Sequence, residues 1–161
     1  MKNSSDNRIA GMIELLNQKS RLLQDMLFIT KEQSSAICEK NLDGLERLIA
    51  SKQAKIDKID EIDMEFETNL EEYKKSMNVK NLDELQGKGI IELQDLKRAT
   101  GEVMKLVDEI MKLEKANGKN AKALMNEIES KIRNISQGKK AQLAYYPALN
   151  NVSSYFIDRK K

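Results

Sequence analysis

Acidic and basic side chains alternate along residues 52–63. Carboxylates and amines of this kind can take part in acid–base catalysis, and carboxylates can also bind metal ions. The carboxylates are Asp57, Asp60, Glu61 and Asp63, and the lysines between them are Lys52, Lys55 and Lys58. A pair of carboxylates can act as general acid and base, but at this spacing the charges fall on the outer faces of a helix and form weak i,i+4 pairs. We interpret the segment as an ordinary solvated helix face.

Residue types that most enzymes need are missing from the chain. The sequence has no histidine, which removes the commonest general base and the commonest transition-metal ligand. Its single cysteine, Cys38, cannot form a thiolate zinc site or an internal disulfide. We therefore predict a protein that is not an enzyme and that uses no metal and no cofactor. Cys38 itself is interpreted as a small buried apolar residue of a protein in a reducing compartment.

Two asparagines near the C-terminal third of the chain are candidates for binding. Asn117 and Asn120 precede Leu124 and Met125 at helical spacing. An asparagine on the seam of a helical bundle costs stability unless it forms hydrogen bonds, and it can then fix the register of the helices. Both a structural role and a partner-binding role stay open for this pair.

Residues 139–161 combine positive charge with aromatic rings. Tyr145, Tyr146, Tyr155 and Phe156 are four of the seven aromatic residues of the chain, and Ile157 follows them. The segment carries a net charge of +4, whereas the whole chain carries +2. Exposed rings on a charged segment are unfavourable unless they dock, so the segment either folds back onto its own bundle or docks onto a partner. A nucleic-acid partner is disfavoured, because no arginine-rich groove accompanies the charge.

Long helices must position these features. Apolar residues recur every three or four positions through Leu42, Leu45, Ile49, Ile56, Ile59, Phe66, Leu70, Tyr73 and Met77, with gaps at Lys52 and Asp63. This spacing predicts one narrow apolar stripe on a helix that needs other helices laid along it. A groove left under-filled in such a bundle could take a client's helix, and the methionines suit an adaptable groove, although Met12, Met26 and Met111 are equally compatible with a core.

The other two helices are bounded by polar segments. The first begins near Ser4–Asp6 and runs about 35 residues, with Phe28 among the apolar residues that widen its stripe. Asp43 followed by Glu46 predicts a new N-cap after a tight antiparallel turn. Residues 78–89 form the next break, with one short helical turn at Leu82–Leu85. The third helix starts at 88–90 and contains Gly101 and Gly118, the second of which is a candidate hinge or helix break.

These elements predict an all-α protein, an elongated bundle or antiparallel coiled coil of three long helices with a flexible C-terminal segment. We assign residues 1–138 to the bundle and residues 139–161 to a labile, basic, aromatic C-terminal segment. The polar N-terminus and the lack of a run of about 20 apolar residues predict no signal peptide and no membrane span, which makes a cytoplasmic protein the default expectation.

The chain resembles the FlgN-like flagellar export chaperones along nearly its whole length. The resemblance rests on the Asp43-Gly44-Leu45 restart with Leu48 and Ile49, the Asn117, Asn120, Leu124 and Met125 spacing, Tyr145-Tyr146-Pro147 and the ending from Phe156 to Lys161. It implies a cytosolic chaperone of flagellar type III secretion that binds hook–filament junction proteins and delivers them to the export gate and ATPase components. It also implies that one C-terminal tyrosine contacts the export gate, with Tyr146 as the matching position and Tyr145 as its rival.

We therefore predict that the third helix and the C-terminal segment bind the client. The predicted partner-binding residues are Asn117, Asn120, Leu124, Ile128, Tyr145, Tyr146, Tyr155, Phe156 and Ile157. The alternative is a structural coiled-coil scaffold that associates with itself and has no secreted client. A homodimer is left open in either case, and a nucleic-acid-associated protein is a third reading.

Overall fold

A computed structural model describes residues 4–136 of the protein. Three long helices account for most of this range: α1 (Ser4–Cys38), α2 (Leu42–Ser76) and α3 (Ile91–Ser136). A single 3₁₀ turn, Leu82–Leu85, lies between α2 and α3 and confirms the predicted short turn. No strand occurs in residues 4–136, so the prediction of an all-α bundle of three long helices is confirmed. The predictions for residues 139–161 lie outside the described residues.

The predicted tight turn joins α1 to α2. Lys40 adopts a left-handed conformation with φ of 58°. The N–H of Asn41 donates to the carbonyl oxygen of Ala36 over 2.8 Å. The N–H of Lys40 donates to the carbonyl oxygen of Ile37 over 3.1 Å. This pair of hydrogen bonds is a Schellman motif, which satisfies carbonyls that the end of a helix otherwise leaves unpaired.

The residue that caps α2 is Asn41, so the prediction of Asp43 as the N-cap is wrong. Asn41 Oδ1 accepts a hydrogen bond from the N–H of Gly44 over 3.0 Å. A Cβ atom at Gly44 would lie 2.4 Å from Asn41 Nδ2, so this cap needs glycine at that position. Asp43 instead lies in the first turn of α2, where its negative charge favours the positive end of the helix dipole.

The apolar stripe of α2 forms its inner face. Leu45, Ile56, Ile59 and Tyr73 are buried, while Leu42, Ile49, Phe66 and Leu70 are half-buried. The two polar positions in the stripe differ from each other, since Lys52 is completely buried and Asp63 is exposed. A lysine can continue an apolar face because its four-carbon stem is itself apolar.

The segment between α2 and α3 is fixed at both ends by backbone geometry. α2 ends in a second Schellman motif, in which Asn78 has φ of 54° and the N–H of Val79 donates to the carbonyl of Lys74 over 3.0 Å. Gly87 and Gly89 have positive φ values of 85° and 70°, which only glycine adopts without strain. Leu85, which is 2% exposed, anchors the 3₁₀ turn in the interior.

The chain divides into two compact units, each built from segments of all three long helices. The first unit contains residues up to Leu27 and Lys52–Asp108. Within it, ion pairs join Arg8 to Glu72, Lys19 to Asp63 and Asp25 to Lys55. The two residues of each pair lie at nearly equal distances in sequence from residue 40 or 41. Such pairing is expected of two antiparallel helices, α1 and α2, that are joined by a turn at Lys40. Ile9, Met12, Leu16, Leu23, Leu96 and Val103 are buried in the same unit.

The second unit contains Phe28–Ser51 and the described residues of α3 from Glu109 to its end. Its part of α3 includes Gly118, and the helix is continuous through this residue. The glycine is therefore not a helix break. Among residues 4–136, no helix has an apolar stretch long enough to cross a membrane.

Two side chains that the sequence assigned to the interior are exposed. Phe28 is 64% exposed, and Cys38 is a free thiol that is also exposed. Phe28 directly precedes the buried Ile29, and Cys38 directly follows the buried Ile37. One residue rotates a helix by about 100°, so the neighbour of a central core residue turns away from the core.

Candidate partner-binding surface

A polar contact joins α3 to α1 inside the second unit. Asn117 is 2% exposed, and its Nδ2 donates to the carbonyl oxygen of Thr30 over 3.0 Å. Its Oδ1 accepts from the hydroxyl of Ser34 over 2.6 Å. Both ends of the amide are thus satisfied by α1, which fixes the position of α3 along α1 at this level.

An apolar cluster lies next along the unit. Its buried members are Ala36, Ile37, Leu45, Ala121 and Leu124, and the half-buried Leu42, Leu48, Ile49 and Ile128 pack against it. All three helices contribute to this cluster. Its members include the last turn of α1 and the first turn of α2, so it marks the level at which the α1–α2 hairpin ends.

An ion pair marks the same level on the surface. Glu127 Oε1 on α3 lies 2.8 Å from Nζ of Lys40, in the hairpin turn, and 3.1 Å from Nζ of Lys131. The hydrogen bond from Lys40, then that from Lys131, lowers the pKa of Glu127 below its ordinary value. Both lysines favour the charged carboxylate, so the contact holds α3 at the turn when Glu127 is ionised.

α3 continues for about two and a half turns after Glu127. Residues 128–136 follow Glu127 and extend for about 13 Å at the helical rise. Their apolar side chains repeat at the core spacing: Ile128 is half-buried, Ile132 is buried and Ile135 is 48% exposed. The apolar face of α3 therefore continues through these residues and becomes exposed at Ile135.

The chain matches the family model described as "FlgN protein" over residues 1–152. This chain belongs to the FlgN family. FlgN proteins are flagellar export chaperones, a family that is not known for enzymatic activity. No curated protein and no solved structure matches the chain. The family model covers α1, α2 and α3 in full, so the surfaces described above belong to the FlgN region.

In this FlgN protein the predicted site residues fall into three groups. Asn117 and Leu124 are in the interior, where they join α3 to α1 and to the apolar cluster. Ile128 lies at the edge of that cluster, and Asn120 is exposed. Tyr145, Tyr146, Tyr155, Phe156 and Ile157 lie outside the described residues. Partner binding by any of these residues stays a prediction.

Sequence reasoning did not single out a second surface of the FlgN α3 helix. Met111 is 62% exposed, whereas Met12 and Met26 are buried, so only one of these three methionines lies on the surface. The sequence did contain a signal, because lysines recur beside Met111 at helical spacing. The spacing alone does not tell which face of α3 is exposed, so the sequence could not show that these residues share a surface.

Proposed function

We propose that this FlgN-family protein is a cytoplasmic chaperone that binds helical terminal segments of hook–filament junction proteins and delivers them to the flagellar type III export apparatus. The family match over residues 1–152 carries the proposal. It gives the general role of a flagellar export chaperone, and the resemblance noted in the sequence supplies the class of client.

The physical argument concerns helices that must not associate too early. A secreted subunit that assembles through terminal helices exposes apolar faces before assembly, and these faces favour aggregation. A helical chaperone can cover these faces by packing an apolar face of its own against them. The exposed Ile135 and the half-buried Ile128 lie on such a face near the end of α3. The client must also be released, so the affinity should be moderate.

The predicted site residues take different roles in this proposal. Ile128 and Asn120 contact the client directly, whereas Asn117 and Leu124 hold α3 in place for that contact. Tyr145, Tyr146, Tyr155, Phe156 and Ile157 bind the client or the export apparatus. By the family resemblance, Tyr146 or its rival Tyr145 contacts the export gate, and ATPase components are further partners.

Co-expression tests the proposal against its rival. The full chain is expressed with the terminal segments of the hook–filament junction proteins encoded in the same genome, and the mixture is separated by size exclusion. We expect a complex of chaperone and client that contains no other protein. A stable homodimer that ignores every junction segment would contradict the proposal and favour a self-associating scaffold.

A further inference from the structure

The outward face of α3 in the second unit carries a mixed stripe of methionine, lysine and glycine. Met111, Lys115, Gly118, Lys122 and Met125 occur at steps of four, three, four and three residues, so they share one face of the helix. The stripe extends for about 21 Å at the helical rise. We call these five residues the Met–Lys stripe.

The apolar members of the Met–Lys stripe are accessible and adaptable. Met111 is 62% exposed, and Met125 and Gly118 are half-buried. Methionine side chains are flexible and polarizable, which suits contact with partners of different shape. Gly118 has no side chain, so no side chain of the stripe itself fills the position midway between its two methionines. In ridge-and-groove packing, a large residue of a partner helix is placed at such a position.

The charge on this face has one sign. Lys115, Lys119 and Lys122 are exposed. None of them forms an ion pair with another residue of the described range 4–136. No aspartate or glutamate occurs from Lys115 to Asn126. Three lysines within this acid-free segment, which Glu114 and Glu127 bound, give the stripe a positive potential that a helix with an acidic flank would complement.

We propose that the Met–Lys stripe binds an amphipathic partner helix that has an apolar stripe flanked by glutamate or aspartate. This inference rests on the proposed function, since it names the chemistry of the client segment that the chaperone holds. The partner's apolar residues cover Met111 and Met125, one large residue sits over Gly118, and its acidic flank lies along Lys115, Lys119 and Lys122.

A pair of designed peptides tests the charge requirement. Both peptides form a 21-residue amphipathic helix with the same leucine stripe, and they differ only in a flank of glutamates or of lysines. Binding to the full chain is measured by fluorescence anisotropy at two salt concentrations. We expect the glutamate peptide to bind about tenfold more tightly at low salt, because its flank pairs with the three lysines whereas the lysine flank is repelled by them. The preference should shrink as salt screens the charges.

Charge reversal then locates the surface. Lys115→Glu, Lys119→Glu and Lys122→Glu are combined in one variant, which should lose the preference for the glutamate peptide by about tenfold. The matched control combines Lys88→Glu, Lys97→Glu and Lys105→Glu, three exposed lysines outside the second unit, and should keep it. Circular dichroism and melting of both variants check that the helices still form.

The same variants separate failure of this inference from failure of the proposed function. Equal binding of the two peptides, or an equal loss in the control variant, would overturn the Met–Lys stripe as an acidic-helix site. If junction segments bind the wild type and the triple variant alike, the inference fails while the chaperone function stands. If no junction segment binds but the glutamate peptide does, the stripe stands and the proposed function fails. Binding of duplex DNA, or a dimer of the full chain, that disappears in the triple variant would assign the stripe to that other partner and overturn the inference.

Discussion

Asn117 of α3 donates from Nδ2 to the carbonyl oxygen of Thr30 in α1 over a distance of 3.0 Å. The two residues are 87 positions apart in the sequence, and both are buried. The hydroxyl of Ser34, one turn further along α1, donates to the other end of the same amide over 2.6 Å. An asparagine held at both ends admits one axial position of α3 against α1, because a shift by one turn would leave buried polar groups unpaired.

Asn117→Ala should therefore lower the free energy of unfolding by about 1–3 kcal/mol, the cost of leaving buried partners unsatisfied. Urea denaturation of the full chain measures the change. Asn120→Ala is the matched control, because Asn120 is exposed on the same helix and its loss should cost less than about 0.5 kcal/mol. Equal effects of the two substitutions would show that the amide of Asn117 does not fix the helices.

Gly44 and Asn41 should show coupled effects on stability. Alanine at position 44 gains helix propensity of about 1 kcal/mol but displaces the Asn41 cap, which contributes about the same amount. Gly44→Ala alone should thus change stability little, whereas in an Asn41→Ala background it should stabilise by about 1 kcal/mol. A double-mutant cycle by thermal or urea unfolding measures this coupling.

Gly101→Ala controls for helix propensity in that cycle. A Cβ atom at Gly101 meets nothing within 4 Å, so the substitution should stabilise α3 by the full propensity difference of about 1 kcal/mol. The capping account is wrong if Gly44→Ala stabilises the wild type as much as it stabilises the Asn41→Ala variant.

Glu127 should make stability depend on pH at the hairpin end. Its pKa is lowered by Lys40 and then by Lys131, so the folded state favours the charged form. The stabilisation is present above the pKa of a glutamate in an unfolded chain, about 4.3, and is lost as the pH falls through the lower folded pKa. Glu127→Gln should therefore reduce the free energy of unfolding at pH 7 and leave it unchanged in strong acid.

Urea unfolding at neutral and acidic pH, with and without added salt, measures this difference. Glu102→Gln serves as the control, since Glu102 is an exposed glutamate on the same helix. A Glu127→Gln effect that persists unchanged in acid, or that matches the control at pH 7, would contradict an ionic contribution from Lys40 and Lys131.

Removal of residues 139–161 should separate folding from partner binding. We expect the helical circular dichroism signal and the melting of residues 1–138 to stay largely intact, because the three long helices all end by Ser136. Binding of the client or its delivery should weaken, because the predicted aromatic contacts are removed. A large loss of stability on truncation would mean that the aromatic residues belong to the core and do not dock onto a partner.

The local sequence determined the helices and the ends of most of them. Apolar residues at steps of three and four predicted α1, α2 and α3, and polar segments predicted the turns near residues 40 and 80. Helix periodicity and turn chemistry are properties of neighbouring residues, so they can be read without a fold. Even here the choice between Asn41 and Asp43 as the cap depended on backbone geometry at Gly44.

Only the tertiary structure decided which side chains face inward and what they meet there. Asn117 and Asn120 have the same chemistry and lie one turn apart, yet one is buried against α1 and the other is exposed. Lys52 is buried and Met111 is exposed, which reverses what their polarity suggests. Periodicity places residues on a common face of one helix, but the neighbouring helices that cover part of that face are distant in sequence. Their position depends on long-range contacts such as that between Asn117 and Thr30, which no local pattern contains.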